Sequence, residues 1–304
     1  MQCLKCLLPI ENIAHARYSL HFTCFEEWFH VDKHAEFVSL QPISHGISVS
    51  DSQFSSQNTS FFHGKFKKYS AELNGENYLF KMRQTEAPEL PEVEYLCNQI
   101  ARICHINTTQ FYFIEFNGDK IFVTKNFIQS EIGDDLQHIY QFRLNDQHSC
   151  EDLIKIIGEK TRQPVFVKVF IKTVLFDALI GNHDRHGRNL AFIANRSGYY
   201  LSPIYDNVSY LGLESGEMLK ADFNPVGKIT TQAADQPCMT DYVHELIRLG
   251  YKNEVQEFYQ HLKGIGGVQI MYRIDNAFCS DLMREAIKKL INKRFKELEN
   301  VLSA

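Results

Sequence analysis

Several features that would place this sequence of 304 residues in a common class are missing from it. It has no uninterrupted apolar run of about 18 residues, the length that a membrane-spanning helix requires. Its first residues, MQCLKCLLPIENI, lack the basic and then apolar order of a secretory signal. With 37 acidic and 32 basic residues, its net charge of −5 argues against a nucleic-acid binder that relies on overall charge. These absences predict a cytoplasmic protein without a membrane segment.

The eight cysteines do not form the regular pattern of a disulfide-rich domain, which favours a reducing compartment. Cys3 and Cys6 form a CxxC pair, and His21 and Cys24 form an HxxC pair fifteen residues later. Two ligand pairs on tight turns are typical of a tetrahedral Zn²⁺ site, which would be structural because four protein ligands leave no open position. The alternative is a set of small buried cysteines beneath neighbouring aromatic rings.

Glycine is scarce where a phosphate-binding loop would be expected. Residues 44–70 are rich in serine and contain only two glycines, although such loops use glycine to bring backbone amides close to the anion. Alternation at Ile47 and Val49, and then Phe61 and Phe62, predicts two strands with a serine-rich tip. A surface loop would explain this composition. The alternative is a phosphate-covering loop whose serines are themselves phosphorylated.

The first part of the chain has the pattern of a β-sheet followed by a helix. Asn77–Arg83 alternates like a strand and carries Lys81, and Glu92–Ile103 has the periodicity of an amphipathic helix. A strand lysine and a glutamate on the next helix hold the α- and β-phosphates of ATP in kinases. Glu94 is the candidate glutamate and Glu92 is the alternative. Such a lysine and glutamate are also common in proteins that do not bind ATP. This pair therefore indicates an ATP site only together with the motif described below.

The pattern changes from strands to helices near residue 127. The run FYFIEFNGDKIFVTKNF predicts a hairpin that turns at Asn117 and Gly118, and its second strand, with Val123 and Lys125, would present backbone to an adenine. A further hairpin is predicted at Tyr199–Tyr205. Helical periodicity follows residue 127 in four segments: Glu151–Glu159, Val165–Ile180, Thr240–Leu262 and Asp281–Leu302. We therefore predict an α+β, two-lobed protein-kinase-like fold, with a β-rich N-lobe over residues 1–127 and an all-helical C-lobe over residues 128–304.

A cluster of polar residues, IGNHDRHGRNLAFI, lies between two apolar segments at residues 180–193. Four residues separate Asp184 from Asn189, and Asp206 lies seventeen positions after Asn189. Protein kinases place a proton-accepting aspartate and a metal-binding asparagine at this spacing, and a later aspartate binds both metal ions. A solvated polar loop is the alternative, which the position of Asp206 disfavours.

Together these residues resemble the HipA-type serine/threonine kinase toxins of bacterial toxin–antitoxin systems, and more narrowly the short HipT form of HipBST systems. The resemblance covers nearly the whole chain, with its motifs in the family order. They are CxxC…HxxC at Cys3, Cys6, His21 and Cys24; the phosphate loop at Ser48, Ser50, Asp51 and Gln53; the lysine and LPxxE at Lys81, Leu90, Pro91 and Glu94; GNxDxHxxN at Gly181, Asn182, Asp184, His186 and Asn189; and SPxYD at Ser202, Pro203, Tyr205 and Asp206.

The resemblance implies that Asp184 is the catalytic base and that Asn189 and Asp206 hold Mg²⁺. The residues expected to bind ATP are Lys81, Glu94, Val123, Lys125, Ser50, Gln53 and His186. The candidates for autophosphorylation are Ser48, Ser50, Ser52 and Ser55. The implied substrate is a serine near the ATP site of glutamyl- or tryptophanyl-tRNA synthetase. The implied partners are HipS-like and HipB-like antitoxin proteins, with DNA reached only through HipB.

Two positions depart from the family pattern, and two other functions stay open. Asp51 replaces a glycine and Ser55 replaces a lysine, so that Lys65, Lys67 or Lys68 would have to support the phosphates of ATP. The order Asp-Arg-His-x-x-Asn is also similar to phosphatidylinositol kinases, which makes a lipid or small-molecule kinase the first alternative. The altered loop makes an inactive, partner-binding pseudokinase the second.

Overall fold

The computed structural model describes residues 1–43, 68–128, 133–142, 148–187 and 189–303. Eight α-helices occur among these residues: α1 (Phe22–Phe29), α2 (Leu90–Ile103), α3 (Cys150–Thr161), α4 (Pro164–Ile180), α5 (Met239–Arg248), α6 (Lys252–Lys263), α7 (Ile265–Asp275) and α8 (Asp281–Ser303). The same residues form ten strands: β1 (Ala16–Arg17), β2 (Leu20–His21), β3 (Val38–Ile43), β4 (Lys68–Leu73), β5 (Glu76–Lys81), β6 (Phe111–Phe116), β7 (Asp119–Lys125), β8 (Asp135–His138), β9 (Ala191–Asn195) and β10 (Gly198–Leu201).

Five strands form an antiparallel sheet in the order β3-β4-β5-β7-β6. The hairpin of β6 and β7 turns at Asn117 and Gly118, which both have the positive φ that a two-residue turn of this kind needs. The predicted turn is therefore confirmed. Helix α2 begins at Leu90, two residues before its predicted start, with Pro91 in the first turn, where a proline is readily accommodated.

The two faces of this sheet have different partners. Side chains alternate along β5, so Tyr78 and Phe80 lie on one face and Lys81 on the other. The ring of Phe29 in α1 packs against Tyr78, with their centroids 5.7 Å apart. Helix α2 covers the opposite face, where Glu94 pairs with Lys81. We call the face toward α1 the outer face and the face toward α2 the inner face.

Helix α4 lies at the centre of the second part of the molecule. It packs against α3, α5, α6 and α8, and its residues are apolar on most sides, as expected for a helix buried all round. Asp177, in its last turns, is a buried carboxylate and the one acidic residue of this mostly apolar helix. Asp177 lies only a few residues before the polar loop that follows α4.

The α+β class agrees with the sequence prediction, but the part expected to be all-helical also contains a sheet. Strands β10, β9 and β8 are antiparallel neighbours in that order. The predicted hairpin at Tyr199–Tyr205 lies earlier in the chain, since β9 pairs with β10 and β10 ends at Leu201. Pro203 cannot donate a hydrogen bond to a strand ladder, which explains this end.

Among the described elements, more residues are in strands than in helices before residue 126, and more are in helices after it, while the domain boundary at residue 127 stays a prediction. Within the described ranges, no helix is both long enough and apolar enough to cross a bilayer.

Gly181 ends helix α4 and begins the polar loop, and its substitution gives a test of this packing. We expect Gly181→Ala to destabilise the protein more than Gly250→Ala. Both glycines have positive φ, which costs an alanine about 1–2 kcal/mol. A Cβ at Gly181 would also lie 2.5 Å from Pro225 Cγ and 2.8 Å from Leu290 Cδ2, whereas no atom of the described residues lies within 4 Å of a Cβ at Gly250.

The added overpacking at Gly181 should cost a further ~1–3 kcal/mol. Urea unfolding of the two variants measures the difference, and equal losses would show that the described packing around Gly181 is wrong.

Candidate active site

Four charged side chains meet on the inner face of the sheet. Lys68 and Lys81 are directly paired across β4 and β5, so both point to the same face, and they are 4% and 6% exposed. Lys81 forms ion pairs with both Glu94 of α2 and Asp206. Lys68 Nζ lies 3.4 Å from Asp206 Oδ1. These two ammonium groups and two carboxylates thus connect the strand pair β4 and β5, helix α2 and the segment after β10.

Burial opposes the charge on each of these groups, but the ion pairs outweigh it for two of them. Burial would raise the pKa of Asp206, yet the ammonium groups of Lys68 and Lys81 hold that pKa far below its usual range. Burial likewise disfavours a charged Lys81, but Asp206 and Glu94 raise its pKa to about 12. For Lys68, burial prevails and lowers the pKa. For Glu94, burial raises the pKa. Lys68 is therefore the lysine that loses its proton more readily.

The loop after α4 is closed by two asparagine side chains. Asp184 N donates to Asn182 Oδ1 at 3.1 Å, and Asn182 Nδ2 donates to Asp177 Oδ1 at 2.9 Å. Asn189 accepts from His186 N at 2.7 Å and donates to the Asp184 carbonyl at 2.8 Å. These bonds fix the backbone of the loop at both ends.

The Asp184 carboxylate, by contrast, faces outward. Its side chain is 56% exposed and pairs with the half-exposed Lys228. Lys228 was not identified by the sequence reasoning, because it lies 44 residues from Asp184 and no local pattern marks it.

Arg185 connects this loop to the segment that carries Asp206. Its guanidinium is 2% exposed, with Nε 2.8 Å from Asp177 Oδ2. Nη1 donates to the carbonyls of Asn189 at 3.3 Å and Tyr205 at 2.7 Å. Because Tyr205 directly precedes Asp206, one side chain holds the Asn189 and Asp206 segments side by side. The sequence offered a signal for this pair, since Asp177 is a charged residue within an apolar helix.

Asp206 adopts a backbone conformation that is unusual for its residue type. Its φ is +53°, in the left-handed region that favours glycine. Residues held in such conformations tend to occur at functional sites, because packing must maintain them against their strain. Here the ion pairs with two buried lysines contribute to that packing.

The other predicted site residues are placed in different ways. His186 lies beside Asp184, with Nε2 4.0 Å from Asp184 Oδ1. Glu92 pairs with Arg83 and not with Lys81. The predicted residues Ser48, Ser50, Ser52, Gln53 and Ser55, together with Asp51, Lys65 and Lys67, lie outside the described residues.

Two predicted ATP contacts do not lie with the inner-face charges. Val123 is paired with Phe80, so its side chain lies on the outer face and not beside Lys81. Lys125 forms an ion pair with Glu76 at 3.2 Å, and its backbone N–H donates to the Gln110 carbonyl. The prediction for Val123 and Lys125 concerned contact of their backbone with an adenine, and it stays a prediction.

Comparison with known proteins assigns the chain to a family. Residues 53–262, more than half of the chain, match the family of the HipA-like C-terminal domain, and the chain belongs to that family. No curated protein matches it.

Two solved structures have a similar fold. The proinflammatory kinase CtkA of Helicobacter pylori has a TM-score of 0.63 and 17% identity, over 77% of this chain and 92% of that one. HipA of Shewanella oneidensis MR-1, in a complex with HipB and operator DNA, has a TM-score of 0.57 and 16% identity, over 75% of this chain and 60% of that one. The predicted fold class is confirmed by these similarities, whereas the narrower HipT resemblance stays a prediction.

The buried pair of Asp177 and Arg185 can be tested by removing one charge. We expect Asp177→Asn to lower the free energy of unfolding by about 3–5 kcal/mol, because it leaves the Arg185 guanidinium buried without its counterion. The matched control is Glu217→Gln, which breaks an exposed pair with Lys220 and should cost no more than ~1 kcal/mol. Urea denaturation measures both, and a loss from Asp177→Asn as small as the control's would contradict the role given to Arg185.

Proposed function

We propose that this protein is a serine/threonine protein kinase toxin of a toxin–antitoxin system, which transfers the γ-phosphate of ATP to a serine of another protein. The observation that carries the proposal is the meeting of Lys68, Lys81, Glu94 and Asp206 on one sheet face, joined through Arg185 to the loop that carries Asp184. Membership of the HipA-like family and the shared fold with two kinases support it.

The two buried lysines are the groups suited to bind the phosphates of ATP. Ammonium groups donate charge-assisted hydrogen bonds to phosphate oxygens, and Glu94 orients Lys81 from α2. Among Lys65, Lys67 and Lys68, which the sequence left open for this role, Lys68 is our candidate because it lies beside Lys81 and Asp206. The contacts of these two lysines with Asp206 place that carboxylate beside the proposed phosphate site.

The donors near Asp206 fit a magnesium ion. Asp206 stays ionised and is 25% exposed, and Asn189 Oδ1 accepts one hydrogen bond, which leaves it a second lone pair. Carboxylate and amide oxygens are the ligands that Mg²⁺ takes. When bound, Mg²⁺ supplies positive charge to the phosphate oxygens. Asp206 and Asn189 would hold it, and Arg185 keeps their two segments together.

Asp184 is the better candidate for the base that accepts the proton of the substrate hydroxyl. Its carboxylate is exposed at the surface of the site, where a protein side chain can reach it, and Lys228 positions it. Asp206 is unsuited to that role because the ammonium groups of Lys68 and Lys81 lower its pKa so far that its carboxylate accepts a proton poorly. Two carboxylates in such different surroundings can therefore take different roles.

The proposed substrate is a serine near the ATP site of tryptophanyl- or glutamyl-tRNA synthetase, whose modification would inhibit translation. The resemblance to the HipA-type toxins supports this choice, and the same resemblance supports HipS-like and HipB-like antitoxin partners. The similar HipA of Shewanella oneidensis forms a complex with HipB and operator DNA. Autophosphorylation at Ser48, Ser50, Ser52 or Ser55 is part of the proposal.

Substitution of the two aspartates tests the proposal. Asp184→Ala should lower phosphate transfer from labelled ATP by roughly 10²–10⁴-fold, because the proton acceptor is lost. It should keep the rise in Tm that ATP and Mg²⁺ produce together. Asp206→Asn should lose both transfer and the thermal shift. The control Asp222→Asn changes an exposed carboxylate that pairs with Lys289 and Lys293, and should lose neither.

Mass spectrometry detects phosphate transferred to a synthetase and to the loop serines. A phosphatidylinositol vesicle is offered as a substrate in a separate assay. Labelling of the lipid alone would replace the protein-kinase proposal by the lipid-kinase alternative. A wild-type protein with no thermal shift and no transfer would favour the pseudokinase. Transfer retained in Asp184→Ala would exclude Asp184 as the base.

The lysines give a prediction with a defined pH dependence. Lys68→Met and Lys81→Met should each weaken ATP binding about 10- to 100-fold, the value of a hydrogen bond to a charged group, whereas the exposed control Lys220→Met should not. Because burial lowers the pKa of Lys68, its charge is present at low pH and is lost as pH rises, before that of Lys81. ATP affinity should therefore decline at alkaline pH.

Lys68→Arg keeps a charge across this range and should move the decline to higher pH. Calorimetric titration with ATP between pH 7 and 10 measures both effects. An unchanged pH profile in Lys68→Arg would remove Lys68 from the phosphate site.

A further inference from the structure

Four potential metal ligands converge near the start of the chain, far in sequence from the charged cluster on the inner face. The ligand atoms of Cys3, Cys6, His21 and Cys24 all lie within 4.8 Å of one another. His21 Nδ1 is 3.4 Å from Cys6 Sγ and 3.9 Å from Cys24 Sγ. In a tetrahedral zinc site with Zn–S near 2.3 Å and Zn–N near 2.0 Å, neighbouring ligand atoms are about 3.5–3.8 Å apart. The observed separations are close to this geometry.

The orientation of the His21 ring adds an independent observation. Its Nε2 lies 3.0 Å from the Pro9 carbonyl oxygen. A carbonyl can only accept a hydrogen bond, so Nε2 carries the proton, and in the neutral ring Nδ1 presents its lone pair. That lone pair is on the nitrogen that faces the cysteine sulfurs. Metal-binding histidines are held in this way, with the second ring nitrogen donating to a backbone carbonyl.

Cys3 and Cys24 are buried, whereas Cys6 is exposed. All eight cysteines lie in the described part of the chain and are thiols, so no disulfide competes for these sulfurs.

We propose that Cys3, Cys6, His21 and Cys24 bind one structural Zn²⁺. Three sulfurs and one imidazole nitrogen are a set that zinc takes in preference to magnesium or calcium. Four protein ligands complete the tetrahedron, so the ion has no open position for a substrate. This ion is separate from the magnesium proposed at Asp206, and it does not depend on kinase activity.

The zinc site would fix helix α1 on the outer face of the sheet. His21 directly precedes α1 and Cys24 lies in its first turn, while Cys3 and Cys6 belong to the preceding segment. Phe29 at the end of α1 packs on Tyr112 with ring centroids 4.3 Å apart. The regular structure before β3 consists of the eight-residue helix α1, a three-residue helical turn and the two-residue strands β1 and β2. Such a small segment gains much of its stability from a bound metal.

The metal content of the purified full-length protein tests the proposal. We expect one zinc per chain by mass spectrometry of the metal, and loss of that zinc in Cys6→Ser. Cys6 is chosen because it is exposed, so its replacement leaves no cavity in the core. The matched control is Cys238→Ser, the same change at a half-buried cysteine that precedes α5, and it should keep one zinc.

Stability gives a second readout that separates metal binding from misfolding. A chelator should lower the Tm of the wild type and of Cys238→Ser, added Zn²⁺ should restore it, and Cys6→Ser should respond to neither. Co²⁺ in place of zinc should give the visible absorption of a tetrahedral thiolate site. A wild-type protein that takes up no zinc even when Zn²⁺ is added, full zinc content in Cys6→Ser, or a disulfide among these cysteines would overturn the proposal. Loss of kinase activity in Asp184→Ala leaves all these results unchanged, so the two proposals can fail separately.

Discussion

The buried guanidinium of Arg185 is the interaction on which the arrangement of the candidate active site depends. It pairs with Asp177 of α4, bonds to the carbonyls of Asn189 and Tyr205, and contacts the side chain of Asn207. A charge buried without partners costs several kcal/mol, so the packing that satisfies all these donors is strongly preferred over alternatives. One residue thereby fixes the relative position of a helix, a loop and the segment that carries Asp206.

The second constraint is the alternation of side chains along the sheet. Lys68 and Lys81 are directly opposite in an antiparallel pair, so they share the inner face, while Tyr78 and Phe80 share the outer face. A slip of one residue would expose the aromatic rings and move both lysines away from Asp206. The packing of α1 on the outer face thus helps to determine where the lysines lie. This connection gives the proposed zinc site an influence on the inner face without any direct contact.

The sequence predicted those features that depend on local spacing, and missed those that depend on distant pairing. The turn at Asn117 and Gly118 and the pairing of Lys81 with Glu94 follow from short-range patterns, as does the convergence of Cys3 with its three partners. The contact of Lys68 with Asp206 joins residues 138 apart, and no local pattern reports such a contact. The face on which the Val123 side chain lies is likewise decided by the register between β5 and β7, which no local pattern reports. Strand β8 was missed because it is short and polar and pairs with the distant β9.

The difference between the two aspartates is the strongest physical argument for catalysis over simple partner binding. Asp206 has a φ of +53° and depends on two buried ammonium groups, an arrangement that costs conformational and desolvation energy. Asp184 is exposed beside Lys228 and needs no such support. A surface that only binds partners gains nothing from a carboxylate held in a strained conformation between two buried ammonium groups, with an exposed carboxylate on the adjoining loop. Phosphate transfer to a hydroxyl needs both, the first to hold positive charge near the phosphates and the second to accept the proton.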